Sequence, residues 1–219
     1  ADYAGTIVHE MVHAMGVGCF NMAEDEENAT KKSLDFTSPL NFTSGLYDAF
    51  GRSAATLTKD KDGCLVITPI TKKQYDDIKN GNLKIKEKTF NKTFYIINDF
   101  NKVGFYGGVY FSGKNVLDVL DGATIAWPNG TDLPAVPGIP VEGYEGEDLD
   151  LSHLELQNGL MSHQNYRNWC TLMEAELAVL QDIGIVERKD SNGNLVEVID
   201  RSKFFGQSIY ASEKTVTLS

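Results

Sequence analysis

Apolar residues recur at helical spacing from the start of the chain. Ile7, Met11 and Met15, with Val8 and Val12, predict a helix over 3–15 that Gly16 stops. The pattern then lapses, and Glu24-Asp25-Glu26-Glu27 predicts a solvated loop over 20–32. Apolar runs on both sides of Lys59-Asp60-Lys61-Asp62-Gly63 predict a hairpin over 56–70. Thr71-Lys72-Lys73-Gln74 reads as a capping box opening a short helix that ends at Asn80-Gly81. Aromatic and β-branched residues predict strands over 94–98 and 103–111, after which Ser112 caps a helix over 113–120.

Residues 128–146 hold four of the six prolines, which predicts a long irregular segment. Thr171-Leu172-Met173-Glu174 reads as a second capping box, starting an apolar helix that ends before Gly184. Asn192-Gly193, between Ile185-Val186 and Leu195-Val196, predicts a two-residue type I′ hairpin. No repeat or low-complexity tract is visible. The class is α+β with a long middle insertion.

Composition narrows the function. The chain has 219 residues, 42% apolar and 23% charged, enough to bury a sizeable core. With 31 acidic against 20 basic side chains, the net charge of −11 repels a phosphate backbone and argues against nucleic acid. No apolar run reaches the roughly 20 residues of a membrane helix, so no transmembrane segment is expected. Cys19, Cys64 and Cys170 are too few for a disulfide scaffold; a Cys19–Cys170 bridge stays open. The chain opens directly on helical sequence and stops in strand-like sequence, so a fragment of a longer protein is expected.

The chemistry sits in the first helix. His9-Glu10-Met11-Val12-His13 is HExxH, and two histidines at i and i+4 share one helical face, close enough to share a tetrahedral metal. Glu10, next to the first ligand, can take a proton from water at the open coordination position. Ordinary residue frequencies produce this pattern in such a chain well under about one time in a hundred. Zn2+ is therefore the expected cofactor.

The extended form His9-Glu10-x-x-His13-x-x-Gly16 resembles the metzincin metallopeptidases. Most of them carry a third histidine where this chain has Cys19. Asp150-Leu151-Ser152-His153 through Gly159-Leu160-Met161-Ser162 looks like the third ligand and methionine turn of the leishmanolysin family, in which an insertion separates that ligand from the helix. Residues 171–185 resemble the family's C-terminal helix. The resemblance covers 4–19 and 150–186, roughly a quarter of the chain, with its parts in the right order.

It implies metal ligands His9, His13 and His153, with Glu10 as general base. In astacin-like and serralysin-like relatives a tyrosine occupies the offset of His163; here His163 or Tyr166 would assist at the oxyanion, a surface histidine being the alternative. The implied domains are 1–19 (active-site helix), 20–149 (inserted mixed α/β lobe), 150–186 (third ligand, methionine turn and C-terminal helix) and 187–219 (hairpin and junction). Metzincins also pair extended substrate with the edge of a sheet that precedes the helix. Either that sheet lies upstream of Ala1, or insertion strands such as 103–111 replace it.

Residues 200–210 are similar to the junction where bacterial autotransporter passengers enter a β-helix, which implies a following β-helix domain and an extracellular or bacterial cell-surface location. The expected activity is endopeptidase cleavage of protein or peptide substrates. The rival is a surface adhesin or binding module that keeps zinc as structure; retention of Glu10 argues against it. Asp60-Lys61-Asp62-Gly63 and 190–194 resemble calcium loops but lack the glutamate at position twelve, so turns are expected. The sequons at Asn28, Asn41, Asn91 and Asn129 are assigned no function.

Overall fold

A computed structural model describes residues 3–18, 22–25, 28–37, 41–98, 107–127, 132–145, 148–163, 172–185, 188–189, 191–192 and 194–196. Cys19, Tyr166 and Cys170, and the expected strand over 103–106, lie outside the described residues. The chain is mixed α+β. Its elements run α1 (Tyr3–Ala14), β1 (Met22–Asp25), β2 (Asn28–Asp35), β3 (Leu46–Tyr47), β4 (Cys64–Ile70), α2 (Lys72–Lys79), α3 (Glu87–Phe90), β5 (Thr93–Ile97), β6 (Tyr110–Phe111) and α4 (Lys114–Leu120). There follow β7 (Ile139–Pro140), β8 (Tyr144–Glu145), β9 (Asp148–Leu149), α5 (Glu174–Asp182), β10 (Arg188–Lys189) and β11 (Leu195–Val196).

The largest sheet has the order β1-β2-β4-β5, antiparallel except for the β4–β5 pair. That parallel pair is joined through α2 and α3, the connection a parallel pair requires. α2 opens as expected: Thr71 Oγ1 accepts from the Gln74 amide while the Gln74 side chain accepts from the Thr71 amide. β5 is buried at every position, and its outer edge is covered by backbone bonds to Ala49 and Gly107.

Several expectations are corrected. The acidic 20–32 segment contains β1 and most of β2, whose register sets Glu24 opposite Lys32. Backbone N–H and C=O groups make that ladder, so an acidic run does not by itself exclude a strand. No strand precedes the Asp60–Gly63 turn, because both edges of β4 are taken by β2 and β5. The turn itself is present: Asp60 Oδ1 accepts from the amides of Asp62 and Cys64, both at 2.9 Å. Of the 107–111 portion of the expected strand, only Tyr110–Phe111 is β.

α4 is not capped by Ser112, whose hydroxyl bonds the Pro137 carbonyl. Asp182 of α5 does that work, accepting from the amides of Asn115 (2.8 Å) and Val116 (2.9 Å). Gly113 is required there, because a Cβ would lie 2.3 Å from Asp182 Oδ2. α5 starts two residues later than its Thr171 reading, with Met173 as N-cap and Glu176 accepting from the Met173 amide at 2.7 Å. The last hairpin exists, pairing Arg188 with Val196 and Lys189 with Leu195. Val186 and Gly193, on which its expected arms and type I′ turn depend, lie outside the described residues.

One main core joins α1, the sheet, α4, α5 and the 149–161 segment, from Val12 and Val17 through Leu34 and Phe94 to Leu154, Met161 and Val179. A smaller one gathers Ile70, Tyr75, Tyr95 and Ile97. No described helix is long and apolar enough to cross a membrane.

Candidate metal centre

α1 turns the polar side of its sequence inward. Gly5, His9 and Val12 are buried, while Ile7, Met11 and Met15 stay exposed. The helix ends at Gly16 and Gly18, whose φ angles of +103° and +130° suit residues without a side chain. This reversal brings the Val17 carbonyl back to His13, whose Nδ1 lies 2.8 Å from it. His9 Nδ1 lies 2.7 Å from the Leu160 carbonyl.

A carbonyl oxygen only accepts, so in both rings Nδ1 carries the proton and Nε2 presents a lone pair. Those two Nε2 atoms face each other at 2.9 Å. Lone pairs so placed require a positive charge between them: a shared proton or a metal ion.

His153 supplies the third ring. Its centroid lies 5.2 Å from that of His9 and 5.1 Å from that of His13. Its Nδ1 donates to Glu142 Oε2 in a short bond, with Ser152 Oγ at 3.2 Å and Asp150 Oδ2 at 3.8 Å. With Nδ1 committed, Nε2 is the nitrogen left for a ligand. His9, His13 and His153 offer atoms within 4.8 Å of one another, a group that could hold a metal ion. Tetrahedral zinc, with Zn–N near 2.0–2.1 Å, needs nitrogens about 3.3 Å apart, and the His9–His13 pair at 2.9 Å is close to that spacing. Burial is the main influence on His13 and lowers its pKa, which favours the neutral form a ligand needs. Glu10 is exposed beside His9, and its charge acts on His13 in the opposite direction.

The loop supporting these rings is built around a short two-stranded contact. Val141 and Leu154 pair antiparallel, flanked by bonds from the Glu142 amide to the His153 carbonyl (3.0 Å) and from the Glu155 amide to the Pro140 carbonyl (2.8 Å). Because side chains alternate, buried Val141 and Leu154 take the core face, and Glu142, His153 and Glu155 share the other. His163 stands on that side, with its ring 6.2 Å from that of His153 and its Nδ1 2.6 Å from Glu155 Oε1.

A second carboxylate contact lies beneath. Glu176 of α5, 1% exposed, accepts from the amides of Met161 (2.6 Å) and Met173, and also bonds the Leu160 amide. Leu160 is the residue whose carbonyl fixes His9. Gly159 leaves room for this approach, since a Cβ there would meet Glu176 Oε1 at 3.0 Å and Leu156 Cβ at 2.9 Å. Burial pushes the Glu142 and Glu176 carboxyls above their ordinary pKa range.

The structure thus gathers His9, His13, His153 and His163, keeps Glu10 exposed beside them and buries Met161. Sequence reading missed Glu142, Glu155 and Glu176. The available signal was a lone acid inside an apolar run, as in Ile139-Pro140-Val141-Glu142 and Leu154-Glu155-Leu156. No protein-family model, curated protein or solved structure matches this chain.

Proposed function

We propose that this chain is a zinc-dependent endopeptidase of metzincin type, similar to leishmanolysin, with His9, His13 and His153 as ligands and Glu10 as general base. The observation that carries the reading is the convergence of three imidazoles whose Nδ1 atoms are committed to acceptors, two of them facing Nε2 to Nε2 at 2.9 Å. A shared proton accounts for two such rings; a divalent cation accounts for three. HExxH in a helix adds the one carboxylate that a structural site has no use for.

When bound, zinc supplies Lewis acidity, bringing the pKa of water towards about 7 and polarising a carbonyl. Glu10 takes the proton of the attacking water. The water oxygen bonds to the scissile carbonyl carbon, the C–N bond breaks, and the proton passes from Glu10 to the departing amine. His163, held by Glu155, or alternatively Tyr166, is assigned to the developing oxyanion. Substrate is an extended peptide of an extracellular protein.

Glu10→Gln tests the reading. Cleavage of a quenched peptide or casein is expected to fall by on the order of a hundredfold or more, with zinc stoichiometry close to wild type, because Glu10 acts on water rather than on the metal. Near-normal turnover in this variant overturns the mechanism. Stoichiometric zinc with no chelator-sensitive cleavage in the wild type would instead make the chain a binding module.

A further inference from the structure

The three imidazoles are not oriented by the same kind of group. His9 and His13 lean on main-chain carbonyls, those of Leu160 and Val17, which no side-chain substitution removes. Both also sit on α1, whose backbone fixes their spacing. His153 lies in a non-helical segment, and the group on its Nδ1 is a side chain.

Three side chains surround that nitrogen. Asp150 Oδ2 at 3.8 Å is beyond hydrogen-bond range and half exposed. Ser152 Oγ at 3.2 Å is a neutral partner. The carboxylate of Glu142 makes the short bond, and Glu142 is only 5% exposed. The ladder places it there, since its amide bonds the carbonyl of His153.

We propose that Glu142 is a positioning residue of the metal centre: it accepts the hydrogen bond from His153 Nδ1–H, fixes the ring's tautomer and rotation, and so presents Nε2 to the metal. The inference rests on the reading of His9, His13 and His153 as ligands. A carboxylate behind a ligating imidazole also raises its basicity, and removing such a partner typically costs 10–100-fold in metal affinity. Glu142 touches neither substrate nor metal in this role. Glu142, Glu155 and His163 could also be read as a second cation group. Yet each carboxylate already receives an imidazole N–H, and that commitment favours orientation over ligation.

The test is zinc affinity of the full chain by competition with a chromogenic chelator, together with the visible spectrum of the cobalt-substituted protein. Glu142→Ala is expected to weaken zinc by about 10–100-fold and to shift the cobalt bands. Glu142→Gln, whose amide oxygen still accepts the hydrogen bond from Nδ1–H without the charge, is expected to lose less while also altering the spectrum. Wild-type affinity and spectrum in both variants overturn the proposal. If Glu142→Ala fails to fold by circular dichroism, Glu142→Gln decides alone: a wild-type constant and spectrum there overturn it. Failure of the underlying reading looks different, because His153→Ala would then bind zinc as tightly as wild type.

Discussion

At the scale of single residues, what could be read in advance was what local spacing determines. HExxH places two imidazoles and a carboxylate by helix geometry alone, so His9, Glu10 and His13 were legible without any tertiary knowledge. His153 was reachable only through the resemblance; Glu142 and Glu155 showed only as lone acids in apolar runs, and their roles, like that of Glu176, were not legible because the partners lie 8 to 15 positions away. His163 is the residue whose role is most open to kinetic test. Its ring is held by Glu155 at 2.6 Å and stands 6.2 Å from His153, so it is aimed and is not a loose surface group. His163→Phe is expected to lower kcat more than it raises KM, since an oxyanion partner acts mainly in the transition state. Steady-state kinetics on a quenched peptide check this, and unchanged constants would leave Tyr166 to carry the assignment.

At the scale of elements, helices were read more accurately than strands. α1, α2, α4 and α5 fall within a few residues of their expected bounds, because capping and period are local. The errors concern what caps them and which strands pair. The α4–α5 junction shows why: a carboxylate at the end of α5 does the work assigned to Ser112 at the start of α4, and no local pattern reports that. Asp182 also accepts from Asn115 Nδ2 at 2.8 Å, so three donors converge on one side chain. Asp182→Ala leaves two backbone N–H groups without this acceptor and is expected to cost about 1–3 kcal/mol, read as a lower urea midpoint at unchanged slope. Gly113→Ala is expected to do comparable damage by steric means. A midpoint unmoved in both variants would show that the junction contributes nothing to stability.

At the scale of the molecule, the α+β class was legible, whereas the sheet order β1-β2-β4-β5 and the parallel β4–β5 pair were not, because pairing partners are chosen by burial across long separations. The core that results closes around several polar tips, and two of these give a measurable signature of its integrity. Tyr110 of β6 and Tyr144 of β8 are 6% and 5% exposed. Burial pushes both phenols up to about 12, with Tyr47 and Asp48 adding to the effect at Tyr110. A group whose folded pKa lies above its unfolded value stabilises the fold fully below the unfolded pKa, here about 10, and loses that contribution as pH rises through about 12. Alkaline unfolding is therefore expected between about pH 10 and 12, with these two side chains contributing and buried Tyr95, whose phenol burial also pushes up, acting in the same direction. Freely exposed phenols in general ionise near pH 10. The buried pair should ionise only as the fold is lost. Tyrosinate absorbance recorded alongside circular dichroism separates the two steps, and a single ionisation near pH 10 in a still-folded chain would contradict the burial of both rings.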